Sequence, residues 1–151
     1  FKGVRSEEFD FEDNQWSKHP EYAKWDKEKR LEFIRDLNSW SISQFLHGEQ
    51  GALLVASQLA SCAPTFNAKL YAASQTFDEA RHVEAFNKYL QTRLKRSWPI
   101  GRALKGLLDK ILTDPRWDLK FIGMQVVIEG LALAAFNAAK KELMIRCTNK
   151  C

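Results

Sequence analysis

The sequence lacks the alternation of apolar and polar residues that a half-buried strand needs: nowhere does a period of two persist. A sheet-based fold is thereby excluded, and helices must carry the architecture. It also lacks an arginine-rich block or a ladder of basic and aromatic residues. Although the net charge is +4 and the pI near 9.0, acidic and basic residues are interleaved, which argues against nucleic acid as a partner. No secretory signal is present. Nor is there an unbroken membrane-length apolar run, because the longest one, Phe121 to Ala139, is interrupted by Gln125, Glu129 and Asn137. Cysteine is scarce and scattered: Cys62, Cys147 and Cys151 form an odd set, read as reduced thiols in a cytoplasmic protein. Internal repeats and low-complexity segments are absent. What the chain does have is 45% hydrophobic residues over 151 positions, with ten Phe and five Trp, enough to bury one core.

Two parts are expected: an N-terminal arm over residues 1–25 and a helical bundle over 26–151. Phe1 to Trp25 is polar and aromatic with no clear period. It reads as an extended arm anchored by Phe9, Phe11, Trp16, Tyr22 and Trp25, with His19 at a surface turn. Asp26 is placed to cap a helix whose apolar face is Leu31, Phe33, Ile34 and Leu37. A kink or break is expected at Asn38-Ser39, with the helix resuming from Trp40 to Ala63 and stopping at Pro64. Within it Gly48 and Gly51 flank Glu49, an unfavourable choice in a helix interior unless a neighbouring helix or a substrate approaches closely. The next helix runs from about Thr65 to Leu94, free of Gly and Pro, with Leu70, Ala73, Phe77, Val83, Phe86 and Leu90 inward. After a break at Ser97–Gly101, a shorter amphipathic helix spans Arg102 to Leu112. Asp114 and Pro115 then read as N-cap and first position of a third long helix, reaching about Arg146. That helix is apolar on nearly every side from Ile122 to Phe136, so it is expected at the centre of the bundle.

Three acids stand out by position. Glu79 and His82 form Glu-x-x-His. At 100° per residue they lie about 60° apart on one helical face, so both can reach one metal ion. Glu49 and Glu129 lie in otherwise apolar stretches, where an unpaired carboxylate must be neutral, paired or metal-bound. Each long helix thus offers a carboxylate at its middle, and one adds an imidazole. Bundle di-iron sites use one Glu from each of two helices and Glu-x-x-His from each of two others. The bland alternative is pairing of Glu49 with Arg81, and of Glu129 with Lys120 or Lys140. His47 is two residues from Glu49 and hence on another face. Asp78 is read as orienting an imidazole on a facing helix, and Arg81 as pairing with a carboxylate.

With Glu49 in "LHGEQGALL", "DEARH" at Asp78–His82 and "VIEGLALAAF" at Val127–Phe136, the sequence resembles the ferritin-like non-haem di-iron carboxylate superfamily, and most of all the bacterial aminobenzoate N-oxygenase-like members. The thirty-residue interval from Glu49 to Glu79 is similar to that in multicomponent monooxygenase hydroxylases and ribonucleotide reductase small subunits. The resemblance implies an all-α, ferritin-like bundle holding two iron ions, with manganese as the alternative. It implies Glu49 and His82 as terminal ligands, Glu79 as a bridge and Glu129 as the first ligand of the second half. It further implies a dioxygen-activating oxygenase or oxidase acting on a small organic substrate with an external electron donor. A homodimer is left open. Phe86 stands where ribonucleotide reductase small subunits carry a radical tyrosine, against a radical-storing role. By the family's spacing a second Glu-x-x-His would fall past Cys151. Either the chain is a fragment of a longer protein, the missing helix is disordered, or another chain supplies it, and the first two are preferred. The rival expectations are a ferroxidase or peroxide scavenger, and a non-enzymatic helical interaction module.

Overall fold

In the computed structural model, which describes residues 16–135 and residue 137, every regular element is helical. A short α1 (Pro20–Lys24) leads into α2 (Lys27–Cys62). Asp26 caps α2 as expected, its Oδ1 accepting from the Lys29 N–H at 2.8 Å. No break occurs at Asn38-Ser39, and the helix is continuous for 36 residues, about 54 Å at 1.5 Å per residue. The two polar residues do not loosen the backbone, because Ser39 is buried and donates through Oγ to the Arg96 carbonyl of a distant loop.

The aromatic arm is partly helical rather than extended over its described portion. His19 caps α1 through Nδ1, and Tyr22 packs its ring against Phe33 and Trp25, with Trp16 edge-on to Phe33 at 5.5 Å. Phe9 and Phe11 lie outside the described residues.

Pro64 ends α2, and Thr65 caps α3 (Phe66–Tyr89), which runs back along α2 and continues as a π-helical segment, Leu90–Leu94. Lys95, at φ 55, turns the chain out of the helix. The loop 95–101 is then stitched to α2: Trp98 N–H donates to Ser43 Oγ at 3.0 Å, and Gln44 contacts both the Pro99 carbonyl and the Gly101 N–H. Next comes α4 (Arg102–Thr113), with Leu104, Leu107, Leu108 and Ile111 on its inner side.

The last helix begins later than the Asp114-Pro115 signal predicts. Asp114 turns its carboxylate onto the N–H and guanidinium of Arg116, and α5 (Trp117–Phe121) starts only after that turn. It passes directly into a second π segment, Ile122–Ile128, and the helix resumes over 129–135. Lys120 is buried and donates to Gln58 Oε1 at 2.6 Å and to the Ile111 and Leu112 carbonyls at 3.0 Å, satisfying the end of α4.

The core joins Ala52, Val55 and Leu59 of α2, Ala72 of α3, Leu108 and Ile111 of α4, and Met124 and Ile128 of the second π segment. Two glycines permit this: a Cβ at Gly51 would overlap the Leu108 methyls, and one at Gly123 would sit 2.7 Å from Ile111 Cγ1. Gly48 and Gly130 face open space.

The expectation of a central last helix is corrected. Only Met124 and Ile128 turn fully inward, while Ile122, Val126, Leu131 and Leu133 are each more than half exposed, because no described element covers that flank. On α3, Leu70 and Phe77 likewise face outward instead of inward. None of the described helices is long and apolar enough to cross a membrane.

Candidate metal centre

Glu49, at the middle of α2, and Glu79 and His82, on the facing turn of α3, each place one ligand atom within 4.8 Å of the others. His82 Nδ1 lies 3.1 Å from Glu79 Oε2 and 3.3 Å from Glu49 Oε2. Ligands at about 2.1 Å on neighbouring corners of an octahedral ion stand about 3.0 Å apart, so this spacing suits a shared divalent cation. Three-residue helical spacing brings Glu79 and His82 together, and the antiparallel pairing of α2 and α3 brings Glu49 to them.

Exposure is graded across the group. Glu79 is buried at 5%, Glu49 is half-buried and His82 is exposed, so the centre opens on one side. Glu129, on the turn that follows the second π segment, stands outside the 4.8 Å group but shares its field. Burial, then the charge of Glu79, raises its pKa, with His82 acting in opposition. Glu49 is pushed up to about 7, first by burial and then by a hydrogen bond and charge repulsion from Glu79. Burial lowers the pKa of His82, but the charge of Glu49 and the hydrogen bond and charge of Glu79 outweigh it, and the net shift is upward. Carboxylates that resist ionisation while sharing an imidazole form a site short of positive charge, which a metal ion would supply.

Among the described residues, the two basic side chains weighed as partners of these acids, Arg81 and Lys120, are engaged elsewhere. Arg81 pairs with Asp78 at 3.3 Å on the exposed face of α3 and lies over the Phe77 ring. Asp78 is therefore held by its own helix, and among the described residues it contacts no imidazole. Lys120 serves Gln58 and the end of α4 rather than Glu129, and Lys140 lies outside the described residues. His47 turns away from the centre, Nδ1 to Gln50 and Nε2 to the Trp98 carbonyl at 3.0 Å. Cys62 is exposed and free, while Cys147 and Cys151 lie outside the described residues.

Next to this group, Phe45 and Phe86 stack at 6.0 Å with their planes 14° apart. Each is four residues, one helical turn, from a member of the group: Phe45 from Glu49 and Phe86 from His82. A cleft of about 460 Å³ lies further along the same pair of helices, lined by Leu46, Leu90, Lys95 and Trp98 among others.

Two residues of the site were not read from the sequence. Gln75 Nε2 donates to Glu79 Oε1 at 3.2 Å, and Gln125 Nε2 donates to Gln75 Oε1 at 2.5 Å. Each glutamine precedes a site glutamate by four residues, Gln75 before Glu79 and Gln125 before Glu129, and that spacing was the available signal. Comparison with known proteins found no matching family model, no matching curated protein and no matching solved structure.

Proposed function

We propose that this chain carries part of a non-haem di-iron centre of ferritin-like type and acts as a dioxygen-dependent oxidoreductase on a small organic substrate. The observation that carries this reading is the convergence of Glu49, Glu79 and His82 from two antiparallel helices; Glu129, on a third, stands outside that group but feels the charge of Glu79. Glu79, the most buried of the three and within reach of both others, would be the carboxylate suited to bridge. Glu49 and His82 would serve as end ligands, and Glu129 would add charge from the third helix. When bound, the metal pair would supply reductive activation of dioxygen: one oxygen atom enters the substrate and the other leaves as water, with two electrons from a separate donor and two protons. The stacked Phe45 and Phe86 keep water from one side of the ligands and leave an apolar wall for substrate.

A helical interaction module with its acids paired by lysine or arginine fits less well, since Arg81 and Lys120 are committed elsewhere. The test is metal loading. Ferrous iron, or cobalt(II) as a spectroscopic substitute, should bind the wild-type chain, and Glu79→Ala should abolish binding with helicity retained by circular dichroism. Uptake unchanged in Glu79→Ala removes the assignment. Turnover of an amine or hydrocarbon with reductant and dioxygen then separates an oxygenase from a ferroxidase.

A further inference from the structure

We infer that Gln75 and Gln125 form an amide relay that sets the orientation of the Glu79 carboxylate and ties it to the helix bearing Glu129, which makes both glutamines positioning residues for the metal centre. This inference rests on the metal-binding reading above and extends it to residues that reading does not use.

The relay has a direction. Gln125 Nε2 donates to the Gln75 carbonyl oxygen, so the Gln75 amide must present its NH2 end to Glu79 Oε1. A flipped Gln75 would set carbonyl against carboxylate and amide against amide. The N–H groups therefore point in series toward the negative charge, and each bond polarises the next. The two oxygens of Glu79 are thereby made unequal. Oε1 is engaged by Gln75, whereas Oε2 is turned to His82 Nδ1 at 3.1 Å, on the side where Glu49 lies. The buried Glu79 side chain could otherwise rotate and exchange its oxygens.

The relay also crosses between elements. Gln75 lies on α3, and Gln125 in the second π segment, one turn before Glu129. Both glutamines are only partly exposed, beside the core residues Ala72, Met124 and Ile128. An amide pair there holds the Glu129 helix in register with the Glu79 helix. Ligand-orienting partners of this kind typically change metal affinity by about 10–100-fold when removed.

The experiment is a cobalt(II) titration of the full chain, followed by the visible d–d bands and by competition with a chelator. Wild type, Gln75→Leu, Gln125→Leu and the double variant are compared, each with its thermal midpoint measured metal-free. Gln75→Leu should weaken cobalt by about 10-fold or more and alter the d–d band shape. Gln125→Leu should weaken it less, and the double variant should be no worse than Gln75→Leu, because the second glutamine acts through the first. Unchanged affinity and spectrum in Gln75→Leu, or strictly additive losses, overturn the relay. If Gln75→Leu does not fold, Gln125→Leu decides: unchanged affinity overturns the relay and a loss supports it. If wild type binds no cobalt, the metal-site reading falls and the relay with it. If wild type binds through Glu79 while both glutamine variants match it, only the relay falls.

Discussion

Replacing Glu49 by Gln should flatten the pH response of the metal-free protein. In the fold the Glu49 carboxyl is shifted from its ordinary 4.5 to about 7, by burial first and by Glu79 second, against the influence of His82. A folded value above the unfolded one means that folding favours the protonated acid. The resulting stabilisation is fully present below the unfolded value and is lost as pH rises through about 7. Glu129, raised by burial and by Glu79, and His82, lowered by burial but raised overall by Glu49 and Glu79, act in the same sense. Undiluted, the Glu49 shift would correspond to about 3 kcal/mol at 1.36 kcal/mol per pH unit. Solvent on the open side of the centre, where the Glu49 side chain is 17% exposed and His82 56%, screens the charged form, leaving about 1–2 kcal/mol. Urea unfolding in chelator, followed by circular dichroism from about pH 5 to about pH 8, should show wild type losing that amount. Glu49→Gln, permanently neutral, should retain most of it, exceed wild type in stability at the alkaline end, and bind cobalt poorly. A variant with the wild-type slope, or one weaker than wild type at the alkaline end, refutes the reasoning.

Lys120→Ala should lower stability by about 2 kcal/mol in denaturant melts, because Gln58 and two end carbonyls of α4 lose their buried donor, while cobalt affinity stays within twofold. Gly48→Ala and Gly51→Ala should move thermal stability in opposite directions. The former meets open space and gains up to about 1 kcal/mol of helix propensity, whereas the latter presses on Leu108 and loses about 1–2 kcal/mol net. Equal shifts in the two would mean that α4 does not pack on α2 at Gly51.

The helices and the central acids were legible because their signals are local. Asp26, Thr65 and Pro64 bound α2 and α3, and Glu-x-x-His needs only helical spacing to come together. Four things were hidden, three because they depend on partners distant in sequence and one because two local uses of Asp114 compete. Continuity of α2 through Ser39 depends on the Arg96 carbonyl, fifty-seven residues on. The late start of α5 depends on Asp114 choosing Arg116 over a capping role. The outward turn of Leu70, Phe77 and Val126 could not be foreseen either, since an apolar residue does not announce whether a neighbour exists to cover it. Finally, Gln75 and Gln125 looked like ordinary helix residues until fold geometry set one against the other.

Lys120 has a practical consequence. Its amine is sealed between Gln58 and the last turn of α4, while the other described lysines stand at the surface or partly so. An acylating reagent applied to the native chain should therefore mark those lysines within minutes and leave this one untouched until α4 and α5 part. The time course of its labelling, read by peptide mass, becomes a clock for how often that corner of the molecule opens.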